Sequence, residues 1–184
     1  MWPTTERVRY GTGVEVVGGR WYPLRVKKRV YIETSVLSYL TARPSRDVVQ
    51  SARQQLTIEW WDRRELFELV ISEPVLDEAR RGDPSAAARR VEAASGITVL
   101  PGTTQAEALA TSLILTAAMP KKAVVDAAHV ALAAVHRADF LLTWNCTHIA
   151  NAVMRPKIEA VCREAGFDPP VICTPDELMN PEDI

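Results

Sequence analysis

The residues of this 184-residue chain best placed to do chemistry are acids and an amide that stand just after short apolar runs. Glu33 follows Val30-Tyr31-Ile32; Glu73, Asp77 and Glu78 follow Leu69-Val70-Ile71; Thr143 and Asn145 follow Phe140-Leu141-Leu142. If those runs are strands of an open α/β sheet, ligands gather outside their carboxyl ends, so polar residues there have first claim on function. Asp126 joins them because it interrupts the small apolar run Ala123-Val124-Val125-Asp126-Ala127-Ala128, whose neighbours on both sides predict burial against a sheet. A buried lone carboxylate is costly unless it is paired, capped or bound to a cation. A helix N-terminus offsets only about 0.3–1 kcal/mol of that cost. Each acid also has a plainer reading: Glu73, Asp77 and Glu78 suit the start of a helix, Glu33 a helix cap, and Asn145 a turn. Asp126 is the hardest to explain in this way.

Other chemistries are disfavoured by what the chain lacks. Cys146, Cys162 and Cys173 are odd in number and form no C-x-x-C pair, which argues against a disulfide framework or a zinc knuckle. His129, His136 and His148 form no H-E-x-x-H arrangement, so any bound metal is expected to be held by oxygen. No uninterrupted apolar stretch approaches the roughly 18 residues of a membrane span, and no cleavable leader follows Glu6, Arg7 and Arg9, so a cytoplasmic location is expected. The net charge of −1 hides an asymmetry: residues 1–30 carry +5 and the remainder −6. An acidic body repels nucleic acid unless its acids hold cations, whereas a basic arm attracts it.

Residues 1–27 form a glycine-containing, basic extension with β-prone pieces at Val14 to Val17 and Trp21-Tyr22, readable as a small hairpin. Its composition differs from everything downstream, which raises the expectation of a start assigned too far upstream. The compact domain is expected over residues 28–184. Strands are predicted at Arg29 to Ile32, Leu66 to Ile71, Ile97 to Leu100, Asp139 to Thr143 and Val171 to Cys173. Helices are predicted after Glu33, from Asp47 to Arg64, from Pro74, from Pro84 to Ala94, from Thr104 to Ala118, from Ala123 to Arg137 and from Met154 to Ala165. A last helix opens at Thr174 with a Thr174/Glu177 capping box. This alternation predicts a three-layer α/β/α domain around a mostly parallel sheet of five strands.

Four strings in this order resemble a known family. Val30-Tyr31-Ile32-Glu33-Thr34-Ser35-Val36-Leu37, Pro74-Val75-Leu76-Asp77-Glu78-Ala79, Val125-Asp126-Ala127-Ala128-His129-Val130-Ala131 and Phe140-Leu141-Leu142-Thr143-Trp144-Asn145 look like the strand-end motifs of PIN-domain ribonucleases. Within that family the chain is most similar to the toxin component of VapBC-type toxin–antitoxin pairs. The resemblance covers residues 28–180 and places the family's acidic cluster on Glu33, Glu78, Asp126 and Asn145. Two positions depart from the pattern: Glu33 stands where aspartate is usual, and Asn145 replaces a common aspartate with a neutral amide. The resemblance implies an endoribonuclease whose carboxylates hold Mg²⁺ or Mn²⁺. Such a cation suits oxygen ligands at about 2.0–2.1 Å and activates a water against a phosphodiester. It also implies a small antitoxin partner and a homodimer through the early helices.

Thr34, Ser35 and Thr143 are then expected to support the acids or a water. His129, on the same helix face as Asp126, is expected either to bond a site carboxylate or to be packed as a core histidine. Trp144 suits base stacking or packing, and Arg43 and Arg46 suit phosphates or solvent. The two departures keep a second function open, a catalytically degenerate module that binds RNA or protein. Structure-selective DNA cleavage is a third.

Overall fold

In the computed structural model the described residues are 26–179 throughout, together with the backbone of three short strands nearer the N-terminus. Those three, β1 (Arg7–Tyr10), β2 (Val14–Val17) and β3 (Arg20–Pro23), form an antiparallel meander in the order β1-β2-β3. The expected hairpin thus has one strand more than its sequence signals suggested.

The remaining strands are β4 (Arg29–Ile32), β5 (Glu68–Ser72), β6 (Thr98–Leu100), β7 (Phe140–Leu142) and β8 (Val171–Cys173). They form one sheet in the order β6-β5-β4-β7-β8 with every pair parallel. The helices are α1 (Thr34–Thr41), α2 (Val48–Trp61), α3 (Glu73–Ala79), α4 (Pro84–Ala93), α5 (Thr104–Leu115), α6 (Val124–Val135) and α7 (Arg155–Glu164). α1 packs with α2 and α4, while α5 packs with α6 and α7, giving a three-layer α/β/α domain. A parallel sheet needs both faces covered, which is why its strands read as unbroken apolar runs. Val30, Tyr31, Ile32, Ile71, Leu141 and Leu142 are accordingly buried. In α6, Ala127, Ala131, Ala133 and Ala134 are buried side chains small enough to let the helix lie close to its neighbours.

The strand order decides where a site can form. From β4 the chain steps outward to β5 and β6, then returns to the other side of β4 for β7 and β8. The direction of winding therefore reverses between β4 and β7, and a crevice opens at the carboxyl ends of those two strands. Their register pairs Ile32 with Leu142, and the next residue, Glu33, donates its N–H to the Leu142 carbonyl at 3.0 Å.

Several boundaries differ from the sequence expectation for identifiable reasons. The helix expected to reach Arg64 ends at Trp61 and is followed by a 3₁₀ turn, Arg64–Leu66, whose backbone bonds delay β5 to Glu68. The helix expected to reach Ala118 stops at Leu115 because Ala117 takes a left-handed φ of 56°. Arg137, at φ 55°, stands beyond the end of α6 at Val135 in the same way. The Thr174/Glu177 capping box is present but opens a 3₁₀ turn, Pro175–Leu178, rather than a longer helix among the described residues. No helix among the described residues is long and apolar enough to cross a membrane, and all three cysteines are free.

The amino end of β4 is tied down by Asp139, whose carboxylate accepts from Lys28 Nζ at 2.9 Å and from the Arg29 N–H at 2.8 Å. Partial burial works to raise this carboxyl, but those bonds and the charges of Lys28 and Arg29 outweigh it and hold it below the usual aspartate range. A lowered carboxyl stabilises the fold above the ordinary range, and that contribution disappears as pH falls through the lowered value. Asp139→Ala should cost about 1 kcal/mol in urea unfolding at neutral pH, the side chain being partly exposed and screened. The gap between variant and wild type should narrow as pH falls through the lowered value.

Candidate functional site

Glu33 leaves β4 in extended conformation (φ −84°, ψ 154°) and caps α1, its Oε1 accepting the Ser35 N–H at 3.1 Å. Its plain reading as a helix cap is therefore met. The residue is only 5% exposed. Its Oε2 accepts the Ser35 hydroxyl and, at 2.6 Å, the Thr143 hydroxyl from the end of β7. Among the described residues no cationic side chain pairs with it. A carboxylate so nearly removed from water, with hydroxyls and one N–H for company, is a natural oxygen ligand for a cation.

Glu78 projects from α3 toward the same point. Its Oε2 accepts the Thr34 hydroxyl at 2.6 Å and lies 3.0 Å from His129 Nε2. An ionised carboxylate only accepts, so Nε2 carries the hydrogen. The other ring nitrogen, Nδ1, is 2.8 Å from the Tyr31 hydroxyl, which also bonds the Ser72 hydroxyl. Burial, with smaller contributions from Glu33 and Glu78, pushes the Tyr31 phenol far above its ordinary pKa, against the lowering effect of the Ser72 bond. It therefore stays a neutral hydroxyl. For Glu78, burial acts to raise the carboxyl, but the His129 and Thr34 hydrogen bonds and the charges of His129 and Arg81 outweigh it and hold it low. His129 is fully buried and also bonds a site carboxylate, so it satisfies both of its sequence readings.

Asp126 and Asn145 form a second group. Asn145 Nδ2 donates to Asp126 Oδ1 at 2.8 Å, and His148 Nδ1 lies 2.7 Å from Asp126 Oδ2. Asn145 Oδ1 also accepts the His148 N–H at 3.1 Å. The expectation that both sides of Asp126 are buried is corrected: Val124 and Val125 are 58% and 39% exposed, because the first turn of α6 stands clear of the sheet. Asp126 is thereby half-buried and open toward solvent. Thr143 joins the two groups, donating to Glu33 while accepting the Asn145 N–H at 2.9 Å. The fold thus brings Glu33 and Glu78 together by proximity, brings Asp126 and Asn145 together, and connects Glu33 to the second pair by hydrogen bonds through Thr143. Glu73 and Asp77 lie outside, exposed and paired with Arg80.

Glu33, Glu78 and His129 each offer a ligand atom within 4.8 Å of the others, a spacing that could hold a metal ion. The donor set fits a divalent cation: Glu33 and Glu78 supply acceptor oxygens, and Glu78 stays ionised. The nitrogen within reach departs from the expectation of oxygen ligands alone. Tyr31 bonds His129 and His148 bonds Asp126, contacts that the sequence reading did not assign. Tyr31 had a signal, since residues two apart on a strand share a face and Glu33 is two further on. His148 had a weaker one, its place three residues past Asn145 in a turn.

No protein-family model matches the chain, and no curated protein does.

His129→Leu removes one donor from Glu78 while leaving its burial. The Glu78 carboxyl should then titrate at higher pH than in the wild type, as followed by ¹³C NMR of its side-chain carbon. An unchanged titration would show that His129 does not hold Glu78 ionised.

Proposed function

We propose that this chain is a divalent-metal-dependent endoribonuclease of PIN-domain type. One observation carries the reading: at the crevice between β4 and β7, Glu33, Asp126 and Asn145, drawn from three separate strings, belong to one hydrogen-bonded network through Thr143, and Glu78, from a fourth, offers a ligand atom within 4.8 Å of that of Glu33. When bound, a hard cation such as Mg²⁺ or Mn²⁺ supplies an activated water and offsets charge on a phosphodiester. The protein's part is to present oxygens in fixed places. Ser35 and Thr143 orient Glu33, Thr34 and His129 orient Glu78, and Asn145 and His148 orient Asp126. Groups held in this way need little rearrangement when charge develops in the transition state. The extra methylene of Glu33 is accommodated by the helix-cap geometry, which turns its carboxylate back onto Ser35.

The same resemblance extends the proposal to a cytoplasmic toxin that cleaves RNA until a small antitoxin covers it, and to a homodimer through the early helices. A specific observation favours the rival reading of a degenerate binding module: both ends of the Asn145 amide are already bonded inside the protein.

The test is cleavage of RNA by the purified chain in magnesium. EDTA should abolish it, and Asp126→Ala should reduce it by about 100-fold, a loss of roughly 3 kcal/mol of transition-state stabilisation. Cleavage that survives both overturns the proposal. A melting temperature that does not respond to magnesium, together with absent cleavage, favours the binding module.

A further inference from the structure

Arg53, on α2, is half-buried against two aromatic rings. Its guanidinium carbon lies 5.9 Å from the centre of the Tyr39 ring and 5.2 Å from that of Trp144, and the two rings meet edge to face at 5.9 Å. One Arg53 nitrogen, Nη1, donates to the Tyr39 hydroxyl at 3.2 Å. The platform beneath is fixed. Trp144 is buried, its ring N–H donates to the Thr57 hydroxyl at 2.8 Å, and its backbone N–H donates to the Ser35 hydroxyl at 2.8 Å. Trp144 directly precedes Asn145, and Tyr39 stands one helical turn beyond Ser35, so the guanidinium is anchored on residues that flank the acidic network.

With Arg53 and Tyr39 against it, the Trp144 ring is a support for a cation rather than a surface for bases. A guanidinium has five N–H donors, and Tyr39 uses one. Among the described residues Arg53 forms no ion pair; Asp176 acts on its charge only from a distance. An arginine immobilised on rings but left without a counter-charge has already lost the side-chain entropy that anion binding would cost. Its neighbour Gln54 adds to the arrangement. That side chain accepts the Ser45 N–H at 2.9 Å and donates to the Arg43 carbonyl at 2.8 Å, pinning to α2 the loop that carries the exposed Arg43 and Arg46.

We propose that Arg53, seated on Tyr39 and Trp144, binds a backbone phosphate of single-stranded RNA next to the acidic network, with Arg43 and Arg46 extending the phosphate track. The inference deepens the nuclease reading and rests on RNA being its substrate, but its test reads binding and not cleavage. A fluorescein-labelled RNA oligonucleotide is titrated with calcium in place of magnesium, recovered intact as a control, across a series of salt concentrations. Each phosphate neutralised on a single strand contributes about 0.7 to the slope of log K against log salt. Arg53→Gln should lower the slope by about that amount and weaken binding by about tenfold. Arg53→Lys, which keeps the charge and loses the planar fork, should retain the slope. An Arg53→Gln slope equal to the wild type overturns the proposal, since a guanidinium that only packs on aromatic rings or balances nearby acids releases no counterion. In the wild-type protein the Arg53 side-chain ¹⁵N resonances should move on adding the same oligonucleotide; resonances that stay put also overturn it, whatever the variants' folding. A chain that binds RNA with an Arg53-dependent slope but never cleaves it supports this inference while removing the nuclease reading. A chain that cleaves RNA with an Arg53-independent slope does the reverse.

Discussion

The structure around the site depends on keeping one carboxylate, that of Glu33, out of water. Withdrawing a carboxylate from solvent costs several kcal/mol even after the protein relaxes. Hydrogen bonds to a charged group return about 1.5–3 kcal/mol each. Three donors are therefore about the number needed, and three are present: the Ser35 N–H, the Ser35 hydroxyl and the Thr143 hydroxyl. Two come from the first turn of α1, set by the extended backbone at Glu33. The third comes across the sheet and exists only because β4 and β7 pair with Ile32 beside Leu142. A slip of one residue in that register would turn the Thr143 side chain to the other face and leave Glu33 short of a donor. Sheet register and site chemistry are thus one constraint.

α6 imposes the second geometric condition. Asp126 and His129, three residues apart, face the same way, so one helix delivers a carboxylate to Asn145 and His148 and an imidazole to Glu78 and Tyr31. The alanines on its buried side let it approach closely enough for both deliveries. Exposure is graded across the site. Glu33 is buried, whereas Glu78 and Asp126 keep side-chain exposures of 27% and 20%. The crevice is therefore closed behind Glu33 and open where Glu78 and Asp126 meet solvent.

The architecture was legible because a parallel sheet covered on both faces writes itself as apolar runs separated by helical periods, and β4 through β8 follow those runs to within a residue or two. Position after a strand, a local property, picked out Glu33, Glu78, Thr143 and Asn145, and Asp126 was picked out as an acid interrupting a small apolar run. What escaped depends on tertiary geometry or on conformations without a residue marker. Gly82, Gly96 and Gly166 take positive φ, which glycine adopts readily, but Ala117 and Arg137 do the same with no sequence signal. The Tyr31 hydroxyl finds Ser72 and His129 only after three elements have packed, and His148 reaches Asp126 only once the turn after β7 closes on α6. The exposed first turn of α6 was misread for a related reason: an apolar run says that a helix packs, not which of its turns overhangs.

His129 shows how the choice of ion and the internal bonding are tied together. Its Nε2 either donates a hydrogen to Glu78 or offers a lone pair to a metal, and it cannot do both. A hard cation is satisfied by carboxylate oxygens, leaves that hydrogen bond in place and keeps His129 as the group that aims Glu78. A softer transition-metal ion, for which imidazole is a good ligand, would draw on Nε2 and force the hydrogen to Nδ1, facing Tyr31. The Tyr31 hydroxyl can meet either demand, as donor to a bare Nδ1 or as acceptor from a protonated one, because its phenol stays neutral and Ser72 supplies a second partner. The buried tyrosine thus makes the second tautomer affordable, but Glu78 bears the loss, keeping only the Thr34 hydroxyl against a burial that raises its pKa. A metal on Nε2 would therefore cost Glu78 its His129 hydrogen bond, whereas one held by carboxylate oxygens alone would leave that bond in place.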